Sequence, residues 1–336
     1  MMKALLARFY IDPYLLMLLG TVVLASFLPP TGIWAPISGI VADIGIMVLF
    51  FLHGARLSRQ AVWDGARNWR LHLAVAAMTF AVFPLLGTGI QVVPGLDREL
   101  ATGLLFLTLL PSTVQSSIGF TAIARGNVAA AVCSASFSNL AGILLTPLLV
   151  AMLITGKSGG VSGHMVLTIV GQLLLPFLAG HLLRPWIGAW VTRQKQMLAV
   201  VDKGSILMVV YAAFGAAVAD GLWSRVSVRD LAVILLLSVA VLAVVMGIAR
   251  VTALVMKLPR ADAIVLQFCG SKKSLASGVP MAGVLFAPEQ VGAILLPVVI
   301  FHQVQLVICA VLAQRYRVAA EKAESSGGAS PEPLVT

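Results

Sequence analysis

Charge is scarce in this sequence: of 336 residues only 11% are Asp, Glu, Lys or Arg, while 60% are hydrophobic. Soluble domains carry about a quarter charged residues, so this composition, with a mean hydropathy of +1.00, excludes a soluble globule. Cysteine is scarce too. Cys133, Cys269 and Cys309 lie far apart in apolar runs, which excludes a disulfide framework and any zinc-type spacing. There is no HExxH pair, no Gly-x-Ser-x-Gly elbow, no P-loop and no pair of intramembrane aspartates, so metalloprotease, hydrolase, ATP-driven and aspartyl-protease chemistries all lack their residues. What is abundant is long apolar sequence, with 30 Gly and 16 Pro spread through it, as expected of an all-α polytopic membrane protein.

Crossing ~30 Å of hydrocarbon takes about 20 helical residues. Ten apolar runs qualify, near 13–30, 37–55, 72–94, 100–124, 127–153, 164–183, 199–219, 229–252, 262–286 and 291–314. The first is read as a retained helix rather than a cleaved signal, and 321–336 as a solvated tail. The net charge of +10 then resolves by position. With the amino terminus inside, the outer loops hold only Arg98, Lys157, Arg225 and Arg229 of the 23 basic residues. Two more, Lys272 and Lys273, fall within a span, which leaves seventeen on the cytoplasmic side. This asymmetry orients both termini to the cytoplasm and makes the charge a matter of topology rather than of nucleic-acid binding.

Laid on itself at an offset of 161, the chain sets IMVLFFLHGARL (46–57) over LMVVYAAFGAAV (207–218), and residues 100–121 over 261–282 without a gap. Five spans per half, an odd number, place the halves in opposite orientation, so the expectation is two inverted five-helix repeats, 1–155 and 160–316, in one membrane unit. The same offset superposes two polar interruptions. In the fourth span Pro111 opens PSTVQSS, which holds Ser112, Thr113, Gln115, Ser116 and Ser117. In the ninth, Gln267, Gly270, Ser271, Lys272, Lys273 and Ser274 break an apolar run, with Gly278 and Pro280 loosening the remainder of the span. Ten or eleven residues at 1.5 Å each bring both interruptions close to the midplane. The bland reading is a proline kink satisfied by nearby hydroxyls. Discontinuous helices crossing at the midplane of an inverted repeat instead point to a binding site.

At ARGNVA (124–129), after that proline-led stretch and before LLTPLL (144–149), the sequence resembles the bile acid:sodium symporter family. FCGSKKSLASGVPMAGVLF (268–286) is similar to its divergent bacterial branch, related to the seventh human member of solute carrier family ten. The resemblance implies a secondary transporter of an organic anion in a bacterial inner membrane. A core of spans three to five and eight to ten would move against a panel of spans one, two, six and seven, with two sodium ions behind the crossing. It also implies cation ligands. The Ser-Asn pair of one sodium site falls on Ser116 and Ser117, or on Ser117 and Ile118 in the other register. The fifth-helix hydroxyls fall on Ala131 and Ala135, although Ser134, Ser138 and Asn139 line a nearby face. The second site falls on Thr79, on Gln267 or Phe268, and on Ser271, and no carboxylate survives in either register.

Two lysines stand where a cation would be expected to bind. An ammonium near the bilayer centre costs ~2.5–3.5 kcal/mol on insertion scales, so it asks for a partner. One expectation is that one of Lys272 and Lys273 fills the vacated sodium position while the other faces the cleft and attracts an anion. Adjacent helical residues point about 100° apart, which permits the split. A proton-carrying lysine is a rival, and snorkelling toward water is the bland alternative. The coupling ion is thus sodium, a proton or neither. No resident cofactor or metal is implied beyond sodium at Ser116 and Ser117.

Secondary candidates are Asp43 in span two and the patch of His302 and Gln303, with Gln305, in span ten. Asp202 reads as a helix-start carboxylate favoured by the dipole, and His53, His72, His164 and His181 as span-end residues without a role. Trp34, Trp63, Trp69, Trp186, Trp190 and Trp223 fall at interfaces. In another class altogether stands a non-transporting membrane sensor on the same fold.

Overall fold

The computed structural model describes residues 13–56, 68–91, 96–154 and 167–325, and every regular element among them is helical. In chain order these are α1 (Pro13–Phe27), α2 (Trp34–Arg56), α3 (Trp69–Ile90), α4 (Arg98–Leu109), α5 (Gln115–Ile123), α6 (Val128–Leu153), α7 (Leu167–Arg193) and α8 (Lys195–Ala219). After a single turn at Leu222–Arg225 come α9 (Val228–Val255), α10 (Arg260–Gly270), α11 (Leu275–Leu285) and α12 (Pro288–Ser325). Seven helices, α2, α3, α6, α7, α8, α9 and α12, are long and apolar enough to cross a membrane, and α1 is a shorter apolar helix. The apolar stretches expected at 100–124 and 262–286 are each two short helices.

Side chains such as Leu85, Leu182 and Leu236 stand outward, the arrangement a lipid solvent favours. The same solvent permits Trp34, Trp69, Trp186, Trp190 and Trp223 to be exposed. Inside, α2 packs on α7 and α8, and α1 on α8; α4, α8, α9 and α11 pack on α12, and α10 lies against α3, α5, α6 and α9. The α2 and α7 crossing is backbone to backbone. A Cβ on Gly54 would meet the Phe177 carbonyl oxygen at 2.0 Å, and one on Gly180 would meet that of Phe51 at the same distance.

Helix α3 is not regular throughout, because Met78–Val82 forms a π-turn just ahead of Pro84. A second π-turn, Val170–Leu174 in α7, likewise precedes a proline, Pro176. The wider turn moves the carbonyls that a proline ring would otherwise strike.

Three expectations are corrected. Residues 321–325, expected to belong to a solvated tail, are helical, since α12 continues to Ser325; Glu321 lies 3.7 Å from Arg317 one turn back and 3.6 Å from Arg125, and its neighbours are good helix formers. Asp202 is not a helix-start residue, for α8 begins at Lys195, and its carboxylate instead accepts from Arg56 of α2. Gly278 and Pro280, expected to loosen the remainder of the ninth span, lie inside a continuous α11. There a Cβ on Gly278 would meet Leu110 Cδ1 at 2.5 Å, so its smallness admits the other broken helix. His164, Trp63 and residues 326–336 lie outside the described residues.

Candidate functional site at the crossing of two broken helices

The two breaks touch. Ser274 N donates to the Pro111 carbonyl (2.8 Å) and Ser112 Oγ to the Cys269 carbonyl (2.6 Å), so each interruption supplies what the other lacks. Breaking a helix in lipid frees its last carbonyls, and here several can be followed to their partners. Beyond Leu107, which accepts from Leu110 N, and apart from Pro111 O, which takes Ser274 N, the carbonyls of Thr108, Leu109, Leu110 and Ser112 accept from side chains. Leu109 O accepts from Thr146 Oγ1 (2.8 Å) and Ser112 O from Asn139 Nδ2 (3.1 Å). Thr108 O and Leu110 O both accept from Lys273 Nζ at 2.7 Å. Asn139 in turn accepts from Ser277 Oγ (2.7 Å) of α11, and Ser138 Oγ accepts from Ser112 N (2.9 Å).

The two lysines point apart, as adjacent residues should, but neither reaches solvent: Lys272 is 0% exposed and Lys273 1%. Neither therefore faces an open cleft in this conformation, and neither snorkels. Packing explains this, because aromatic rings lie over their ammonium groups. Lys272 Nζ lies 4.3 Å from the centre of the Phe120 ring and 5.9 Å from that of Phe268, and donates to Ser116 Oγ (3.2 Å). Lys273 Nζ lies 4.2 Å from the Phe83 ring centre and completes its coordination with a third carbonyl, Thr79 O, also at 2.7 Å. No ion pair with either lysine occurs among the described residues.

Other expected residues distribute around these two. Thr113, Ser116 and Ser117 form a hydroxyl chain, with Ser116 Oγ donating to Thr113 Oγ1 (2.9 Å), Thr113 and Ser117 sharing a bond (2.9 Å), and Ser117 Oγ reaching the Phe268 carbonyl (3.2 Å). Gln115 is exposed, Ser271 turns back to Gln267 O, and Gln267 Nε2 donates to Met246 O (3.3 Å). Ser274 caps α11 by accepting from Ser277 N. Thr79 contributes its carbonyl rather than its hydroxyl, which donates to Val75 O. Asp43 has neither hydrogen bond nor ion pair among the described residues, and Gln303 Nε2 is buried without a partner there.

The residues do not fit a sodium ion. The hydroxyls of Ser116 and Ser117 are already engaged, Ser116 by an ammonium, and the carbonyls of Thr79, Thr108 and Leu110 are taken by a second ammonium. A hard cation needs several free oxygens and gains most from a negative one.

Sequence reasoning undervalued three residues. Gln305, 0% exposed in α12, grips the Lys273 peptide at both ends, accepting from its N–H and donating to its carbonyl, each at 2.9 Å, while Nε2 also meets His302 Nδ1. A glutamine in an apolar span was the available signal. Asn127 of ARGNVA caps α6 through Ala130 N and donates to Asp262 Oδ1 (2.8 Å), whose other oxygen accepts from Asn68 (3.0 Å). His72 is not idle either: its Nδ1 bonds Ser134 Oγ at 2.7 Å. Phe83 and Phe120 carried no signal, since aromatic rings in apolar runs are ordinary.

Apolar spanning helices around two mutually satisfied helix breaks, with buried cations at their crossing, define a helical membrane transporter. The chain belongs to the SBF-like CPA transporter family (DUF4137), whose model matches residues 12–318. It is 52% identical over 316 residues to protein PA2026 of Pseudomonas aeruginosa, covering 92% of this chain and 94% of that one. It is 47% identical over 324 residues to "Putative symporter YfeH" of Escherichia coli K12, covering 96% and 98%. At 27% identity over 282 residues it is similar to rat "Sodium/bile acid cotransporter 7", covering 81% and 82%.

Proposed function

We propose that the protein is a secondary carrier of an organic anion in a bacterial inner membrane, working by alternating access about the crossing of its broken helices. The observation that carries this reading is two buried ammonium groups at the crossing with no carboxylate paired to either among the described residues. A positive field without a counter-charge is relieved by an anion.

Ten spans in two inverted repeats are the architecture this reading uses. In its support, adding 161 to the bounds of α4 and α5 gives 259–270 and 276–284, within one residue of α10 and α11. Helices α1, α2, α7 and α8 are the proposed panel, against which the remaining helices move, both termini lying in the cytoplasm.

Purified protein in proteoliposomes, offered bile acids, steroid sulfates, short keto-acids and nucleotide-like anions, tests the reading by counterflow. The expected result is exchange of at least one class, unchanged when choline replaces sodium. Thermal shift by an anion without counterflow of any would assign a sensor instead.

A second reading rests on Lys272, whose only hydrogen-bond acceptor among the described residues is a serine hydroxyl. It makes this lysine a proton carrier. A proton gradient would then drive uptake in the native protein and fail to do so in Lys272→Ala.

A further inference from the structure

The three carbonyl oxygens around Lys273 come from parts of the chain far apart in sequence, Thr79 in α3 and Thr108 and Leu110 at the end of α4, yet all stand 2.7 Å from one nitrogen. Each is free for a reason written in the sequence. Phe83 N donates to Met78 O within the π-turn, so it does not serve Thr79 O, and the next residue along, Pro84, has no N–H to offer. Thr108 O would accept from Ser112 N in a continued helix, but that N–H goes to Ser138 Oγ. Leu110 is extended, with ψ 154, which ends the ladder before its carbonyl finds a helical partner. The Phe83 ring face closes one side of the cluster. Three convergent carbonyls over an aromatic face are the recognition chemistry of a monovalent cation, and a 2.7 Å oxygen shell suits an ion of ammonium size.

We propose that Thr79, Thr108 and Leu110 form a monovalent-cation site that Lys273 occupies as a tethered ammonium. The protein thereby carries its own cation at the crossing, and removal of the side chain opens the site to a free one. Gln305 sets the tether by fixing the Lys273 peptide. The inference concerns binding and holds whether or not the chain transports an anion.

Lys273→Ala, extracted and purified in choline chloride, is the test, read as melting temperature during titration with ammonium, potassium and sodium chloride. The variant is expected to melt below the native protein and to recover by roughly 5 °C with saturating ammonium, as mass action on a folded-state site requires. Native protein and Lys272→Ala, which removes an ammonium that meets a single hydroxyl, are expected to show no such saturable rise; a rise of equal size in either overturns the proposal. Lys273→Met, which fills the space with an apolar chain, should be destabilised and unrescued. If Lys273→Ala does not survive extraction in choline, recovery of monodisperse protein in ammonium chloride supports the site, and loss in both salts overturns it. An unchanged melting temperature in choline, or no response to any of the three cations, overturns it equally.

Discussion

At the scale of single residues, the hydrogen-bond capacity of a few buried groups decides what the crossing tolerates. Gln305 is the clearest case, since Gln305→Leu would leave both the N–H and the carbonyl of Lys273 buried without partners. Each orphaned group costs about 1–3 kcal/mol, so a loss of ~2–6 kcal/mol is expected, measured by thermal or denaturant unfolding in detergent. Pro84 makes the converse test. In an ordinary helix interior, replacing proline by alanine gains about 3 kcal/mol. Here the new N–H would compete with Lys273 for Thr79 O, so Pro84→Ala is expected to melt no higher than the native protein. A gain of the ordinary size would mean that the carbonyl is not needed by the lysine.

At the scale of elements, close approach rather than apolar area fixes the crossings. Gly54 and Gly180 each lie against the other helix's backbone, at a distance no Cβ can occupy. A Gly→Ala change inside an exposed helix normally gains about 1 kcal/mol; at either position the clash is expected to reverse the sign and cost ~1–3 kcal/mol or more. Because both substitutions separate one pair of helices, their combined effect should fall short of the sum, a result that a double-mutant cycle reads directly. Much of this level was legible in the sequence. Apolar run lengths marked the long helices to within a few residues except at the C-terminal ends of α7 and α12, which continue to Arg193 and Ser325, well past the runs expected to end at 183 and 314; Pro111 with Lys272 and Lys273 marked the interruptions of the fourth and ninth stretches. Illegible were the contacts between distant segments. Nothing local in Asn127 announces Asp262, and the π-turn before Pro84 is one of several ways a helix can absorb a proline. The burial of both lysines, where one was expected to face the cleft, also escaped the sequence, because it depends on Phe83 and Phe120 arriving from elsewhere in the chain.

At the scale of the whole molecule, the proposed motion concerns how the group α1, α2, α7 and α8 meets the rest. Contact runs chiefly through α8, which packs on α11 and α12, with Ile46 of α2 near Gly283. Arg225, beyond α8, lies 3.7 Å from Glu99 of α4, but both side chains are partly exposed and such a pair contributes at most ~1 kcal/mol. The apolar seam therefore decides. Its tightest point is Gly292, where a Cβ would meet that of Ala217 at 2.4 Å and the Ala213 carbonyl at 3.2 Å. If this seam exists only in the present conformation, Gly292→Ala disfavours that conformation relative to its alternative, whereas Gly54→Ala, within one group, weakens both alike. The expected outcome is that Gly292→Ala changes the counterflow rate by several-fold at a modest loss of melting temperature, while Gly54→Ala loses more stability yet exchanges normally once reconstituted. Equal effects of the two on exchange, at matched amounts of folded protein, would mean that α8 and α12 do not slide and that the helices do not divide where proposed.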